Sequence, residues 1–223
     1  MLTLKDVARI LLITNPAHDR ATRYLDAWSE KFIDAAKGQQ DVRLFELREQ
    51  ETTRANLTHI IETEKPQLVI FNGHGNKKCI GGYKVEILIR CDDNEDLLRD
   101  KIVHALACDS GDELGPKCIS VGGLAYIGYK EKFKLTHLNK QSNDEKRQDP
   151  IAAFFMEPAF KAVLTLIEGQ TAAEAYNLSQ EMYLQNLRVL MTSNNTDYNT
   201  VVASRLYHNY IYQVRLGDPA AQF

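Results

Sequence analysis

Cysteine is scarce in this chain: four in 223 residues, Cys79, Cys91, Cys108 and Cys118. Four are too few for a disulfide framework at this size, and no pair has CxxC spacing. The common structural zinc and dithiol motifs are thereby set aside, and reduced thiols in a cytoplasmic setting are the expectation. Charge of one sign is also lacking. The net value is -3, from 27 basic and 30 acidic side chains, so no basic field invites nucleic acid or an acidic membrane. No window reads as the about 18 apolar residues of a membrane helix. The run Ile10-Leu11-Leu12-Ile13, with Lys5 and Asp6 just upstream, is too short for a secretory signal. Neither GxxxxGK[ST] nor GxGxxG occurs, so nucleotide binding has no motif behind it.

What is present is a globular composition, 44% hydrophobic and 26% charged. The length suits one domain over residues 1–223 with a two-sided core. Apolar runs alternate with helical patterns. Ala8 to Asn15 reads as a strand closed by Asn15-Pro16. Asp19 caps a helix whose inner face is Leu25, Trp28, Phe32 and Ala36. Val42 to Leu47 alternates and suits a strand near an edge. A helix with Leu57, Ile60 and Ile61 stops at Pro66. Cys79 to Arg90 reads as a β-hairpin or extended arm, and Asp92 to Asp96 opens a short helix. A helix with Asp112 and Glu113 in its first turn ends at Gly122-Gly123, and Leu124 to Tyr129 is a further strand. The polar stretch 136–150 reads as a solvated, mobile loop. Pro150 then opens a helical third of the chain. A capping box at Thr171 to Glu174 starts a helix to about Met191, with a break at Ser193-Asn194-Asn195-Thr196. A last helix covers roughly Tyr198 to Asn209, and Ile211 to Leu216 closes the sheet. Alternating elements predict a mainly parallel sheet with helices on both faces.

Two runs end in reactive residues. The first is Leu68-Val69-Ile70-Phe71-Asn72-Gly73-His74-Gly75. The second is Ile102 to Cys108, the second central strand, followed by Asp109-Ser110-Gly111. Each reads as a buried strand stopping at a glycine-bearing turn. If the two strands are parallel neighbours, both turns emerge at the carboxyl edge, where open α/β sheets place their chemistry. Cysteine attacks as thiolate, and an imidazole within reach can take its proton and later pass it to the leaving amine. The backbone N–H groups of Gly75 and Cys108 are candidates to hold the oxyanion. The plainer readings are a turn histidine and a buried small cysteine. His104 reads as core. His18, His59, His137 and His208 carry no partner signal. An amidotransferase elbow would need glycine where Leu106 and Ser110 stand, and a phosphatase loop would need an arginine that Asp109 to Leu114 lacks.

The order His-Gly then Ala-Cys, each after a hydrophobic strand, resembles the caspase-like cysteine peptidases, the group of caspases, legumain, gingipains, clostripain, separase and CHAT domains. Phe71 to Gly75 and Ala107 to Gly111 carry the likeness. Gly169-Gln170-Thr171-Ala172-Ala173-Glu174-Ala175 and Leu216-Gly217-Asp218-Pro219-Ala220 agree with CHAT-type and gingipain-like segments. The resemblance implies an α/β three-layer sandwich and a Cys-His dyad, with His74 as base and Cys108 as nucleophile. It also implies a specificity pocket built from loops near the dyad. Leu106 replaces the glutamine of the caspase motif, which argues against an aspartate preference.

The expected function is a regulated cysteine endopeptidase acting on protein or peptide substrates under an activating partner, with no nucleic acid, membrane, cofactor or metal involved. Asn72, Asp92, Asp93, Asp109 and Glu131 are the candidate substrate-binding residues, and the acids among them suggest cleavage after a basic residue. Solvated loop charges explain those acids equally well. The run Asp92 to Asp96 matches no EF-hand spacing, though some relatives bind calcium. Segment 136–150 is a candidate processing or activation segment. The alternatives are a silent binding or scaffold module and a small-molecule amidase.

Overall fold

The structure, a computed structural model, describes residues 8–192 and 197–223. The expected break at Ser193 to Thr196 lies outside the described residues. Two strand–helix steps open the chain: β1 (Arg9–Asn15), α1 (Arg20–Lys37), β2 (Val42–Arg48) and α2 (Arg54–Glu64), leading into β3 (Leu68–Asn72). A small antiparallel sheet follows, made of β4 (Gly75–Asn76), β5 (Cys79–Gly81) and β6 (Ile87–Arg90). Then come β7 (Ile102–Leu106), α3 (Leu114–Ser120) and β8 (Ala125–Tyr129). The last third holds α4 (Asn143–Arg147), α5 (Pro150–Ile167), α6 (Ala172–Thr192), α7 (Asp197–Tyr212) and β9 (Gln213–Gly217).

The main sheet has the order β2-β1-β3-β7-β8-β9, with β9 alone antiparallel to its neighbour. Alternate side chains feed two cores. Leu11, Ile13, Leu68, Ile70, Ile102 and Leu106 pack with α1 and α5. Leu12, Val69, Phe71, Val103 and Ala105 pack with α2, α3 and the small sheet. Strands apolar on both faces are the mark of a covered parallel sheet. The molecule is therefore a mixed α/β sandwich with a mostly parallel central sheet, and β2 is an edge strand as its alternation predicts.

Four details depart from the sequence reading. The Cys79–Arg90 arm is not one regular hairpin. A 3-10 turn at Tyr83–Val85 interrupts it, with Lys84 at φ 49° and Val85 at φ 65°, and the Tyr83 N–H is anchored on the Thr52 carbonyl, 2.9 Å away. Strand β7 ends at Leu106, not Cys108, because the Ser110 hydroxyl donates to the Ala107 carbonyl (2.9 Å) and bends the chain.

Segment 136–150 is not a free loop. A capping box between Ser142 and Glu145 starts α4, and α1 holds the rest. Trp28 Nε1 donates to the Lys146 carbonyl (2.7 Å), and Tyr24 Oη bonds Asp149 Oδ2 (3.0 Å). The polar composition described the outward face only; aromatic side chains with polar tips do the pinning. Finally, α5 is long and apolar enough to pass for a membrane span by composition, at mean hydropathy 1.5. Here it is the core helix, with Phe155, Met156, Ala159, Val163 and Leu166 buried.

The two C-terminal motifs meet. The Ala172 N–H donates to the Ala221 carbonyl (2.8 Å) and the Ala173 N–H to the Pro219 carbonyl (3.0 Å). The tail thus seats the start of α6, whose Thr171–Glu174 capping box is formed as expected. Gly217 makes the turn at φ 83°, where a Cβ would lie 2.4 Å from the Leu124 carbonyl oxygen.

Candidate active site

Strands β3 and β7 are parallel neighbours, with Asn72 opposite Leu106 in register. His74 and Cys108 each stand two residues beyond that pair. They leave adjacent parallel strands, about 4.8 Å apart, at the same edge of the sheet. The turns touch. A Cβ on Gly75 would lie 2.9 Å from both the Ala107 Cβ and the Cys108 carbonyl oxygen, so only glycine permits this approach.

Each turn has its own fastening. In the first, the Gly73 N–H donates to the Leu106 carbonyl (3.3 Å), and the His74 carbonyl accepts from Gly81 (2.8 Å). In the second, the Tyr126 hydroxyl donates to Ser110 Oγ (2.8 Å), which itself donates to the Ala107 carbonyl. The Gly111 N–H bonds the Tyr129 carbonyl (2.9 Å). Asp109 adopts a left-handed conformation at φ 59°, which aspartate tolerates better than most residues.

His74 has a partner that its local sequence does not announce. Its Nε2 hydrogen-bonds Asp19 Oδ2. The other oxygen, Oδ1, accepts the Thr22 N–H (2.9 Å) as the N-cap of α1. Burial pushes the Asp19 carboxyl up, but the Thr22 N–H, His74 and the Thr22 hydroxyl outweigh it and hold the group down at about 2. It is thus anionic throughout the working pH range. With Nε2 engaged, Nδ1 is the ring nitrogen left to accept a proton. Both side chains remain 39% exposed.

Cys108 is half-buried. Burial raises its thiol above the ordinary value of 9.0. The Phe133 backbone N–H beside the sulfur opposes that, Asp109 reinforces it, and Lys132 and Lys134 oppose it more weakly. The resting group is therefore a protonated thiol at neutral pH. The segment carrying Phe133 is tied to α7: Asn209 brackets Lys134 with two bonds of 2.8 Å, and His208 Nε2 meets the Lys132 carbonyl at 3.1 Å.

The other candidates are placed differently. Asn72 is fully buried, its Nδ2 donating to Asn15 Oδ1 (2.9 Å), and it links β3 to β1 inside the sheet instead of reaching the rim. Asp92 pairs with Lys117, and Asp93 holds Arg54 with two bonds of 2.7 and 2.8 Å. Their charges are already matched. Asp109 lies beside Cys108, whereas Glu131 is tied to that turn only through its backbone, the Asp109 N–H approaching the Glu131 carbonyl at 3.4 Å. His104 is buried in β7, as expected of core.

Sequence reasoning missed Asp19 and His18. The available signal was that the first strand, if adjacent to the His74 strand, must deliver its own turn, Pro16 to Asp19, to the same edge. A cavity of about 770 Å³ lies elsewhere, between α6 and α7, lined by Leu184, Leu187, Met191, Ala203 and Tyr207 among others.

By sequence, no family model matches the chain, and no curated protein does. By structure, it resembles the complex of the pro- and mature domains of RgpB from Porphyromonas gingivalis, at a TM-score of 0.54 and 12% identity. The match covers 97% of this chain and 48% of that one, so this chain spans about half its neighbour's length. At that identity the likeness speaks to the fold, which is consistent with a caspase-like sandwich.

Proposed function

We propose that the chain is a cysteine peptidase of the caspase-like kind, with Cys108 as nucleophile, His74 as base and Asp19 as the group that orients the imidazole. One observation carries this reading: His74 and Cys108 leave paired strands two residues beyond the Asn72–Leu106 register pair, in turns that touch. In the reaction, the Cys108 thiol gives its proton to His74 Nδ1 and the sulfur attacks the scissile carbonyl carbon. The oxyanion takes hydrogen bonds from the Gly75 and Cys108 N–H groups. When the C–N bond breaks, His74 returns the proton to the leaving amine, and water then releases the acyl group from sulfur.

The likeness to RgpB, a gingipain, supports the peptidase class through the fold alone. Asp109, the acid that acts on the Cys108 thiol, favours a basic residue before the cleaved bond. A panel of fluorogenic peptides tests this: turnover after Lys or Arg should exceed turnover after Asp, and the reverse order sinks it. The class itself is tested by an iodoacetamide or acyloxymethyl-ketone probe, which should label Cys108 selectively and lose that labelling in His74→Ala.

The desolvated thiol gives a second reading its footing, a module that keeps the fold and binds without cleaving. Cys108 that stays inert to the probe under every candidate activator would favour it.

A further inference from the structure

The turn after β1 brings a second imidazole to the base. His18 Nε2 lies 3.7 Å from Asp19 Oδ2, the same oxygen that His74 Nε2 engages. Donor atoms of His18, Asp19 and His74 all lie within 4.8 Å of one another. The His18 ring stands edge-on to His74, with centroids 5.7 Å apart, and edge-on to Tyr83 at 5.8 Å. Its side chain is only 13% exposed, and its buried Nδ1 has no hydrogen-bond partner. At 3.7 Å its Nε2 is too far from the carboxylate for a hydrogen bond. His18 therefore keeps one nitrogen buried and unpartnered, at a cost, while its Nε2 faces Asp19 and His74 with its lone pair uncommitted to any protein donor.

We propose that His18, Asp19 and His74 form a binding site for a divalent ion of the zinc class, and that its occupancy silences Cys108. The second half rests on the reading of His74 as the base. Two imidazoles and one carboxylate suit zinc, cobalt or nickel, whereas calcium and magnesium prefer all-oxygen shells. Tetrahedral zinc at bond lengths of about 2.0–2.1 Å keeps donor atoms about 3.3 Å apart. The donor pairs that involve His18 therefore need to close by no more than roughly 1.5 Å, while His74 Nε2 and Asp19 Oδ2, now in hydrogen-bond contact, part slightly to admit the ion, with the fourth position left to water. The positive end of α1 works against a cation here, and the ionised Asp19 offsets it.

The silencing follows from tautomer chemistry. A neutral imidazole carries one N–H and one lone pair. Metal on His74 Nε2 uses that lone pair and puts the proton on Nδ1. The nitrogen that would receive the Cys108 proton is then already protonated. The ion also competes with protons for both imidazoles, so the block weakens in acid.

Calorimetric titration of Zn2+ into the full chain carrying Cys108→Ser tests the site independently of any peptidase activity. One ion per chain should be lost when His18→Gln is added, with affinity at that site falling at least about 100-fold, the upper end of what losing a partner behind a ligand costs. Binding unchanged by His18→Gln, or abolished by Cys108→Ser alone, overturns the assignment. Cobalt(II) gives a second measurement. The difference spectrum between wild type and His18→Gln should show d–d bands without a sulfur charge-transfer band; a sulfur band there means that a thiolate is a ligand and overturns it as well. Saturating zinc should slow probe labelling of Cys108 in the wild type and leave it unslowed in His18→Gln. Equal labelling of the wild type with and without zinc overturns the silencing.

Discussion

Strands β3 and β7 behave as two different materials along their own length. From Leu68 and Ile102 to the Asn72–Leu106 pair, all ten residues are buried. Two residues further on, His74 and Cys108 are partly open to solvent and surrounded by polar partners. Each region holds one histidine, and the contrast between them is instructive. His104, on β7, is fully buried, and burial drives it down to about 4 against a weak approach from the Ala159 backbone. It is a neutral part of the core. His74 meets an anionic carboxylate at a half-open rim. Position along the strand, not residue type, separates the neutral core histidine from the one that meets a carboxylate and solvent where the sheet ends.

The sharpest way to break that contrast is to remove each histidine. His74→Ala should lower turnover of a cleaved peptide by about 10²- to 10⁴-fold, the usual worth of a general base, with little change in melting temperature. Asp19→Asn keeps the capping oxygen and replaces the one that His74 uses. A loss of up to about 10⁴-fold is expected if Asp19 fixes the His74 tautomer, with α1 still formed by circular dichroism.

His104 should act on stability alone, and with a defined sign. Unfolded histidine takes its proton near 6.5, whereas His104 resists until about 4. As pH falls through that window the unfolded chain binds the proton first, so folding loses stability, by roughly 3 kcal/mol in total. Denaturant melts at pH 7 and pH 4.5 should show this loss in the wild type and a smaller one in His104→Leu.

The boundary between the two regions is Gly75. Its substitution by alanine places a methyl 2.9 Å from the Cys108 carbonyl oxygen. About 1–3 kcal/mol of stability should go, together with any activity that needs Cys108, because the Cys108 turn must move. A Gly75→Ala variant with full activity would show that the two turns are not held against one another. Smallest is Tyr126→Phe. It leaves Ser110 Oγ without its donor and should cost about 1 kcal/mol, read as a modest drop in melting temperature.

Much of the fold was legible because its signals are short-range. The buried runs, the Asp19 and Thr171 caps, the Pro150 helix start and the glycine turns each act within a few residues. The dyad candidates were legible for the same reason, as each follows a buried apolar run and opens a turn that holds a glycine, Gly75 beside His74 and Gly111 three residues after Cys108. Segment 136–150 misled because composition reports what faces water. It says nothing of Trp28 and Tyr24, more than a hundred positions away, which hold that segment from below.

By itself the sequence determined the elements, their apolar faces, and the fact that a histidine and a cysteine each end a buried strand. Tertiary structure alone decided what those residues meet. Pairing of β1 with β3 carries Asp19 and His18 across 55 and 56 positions to His74. Strand order is set by the packing of whole faces, and no local pattern in the chain encodes it.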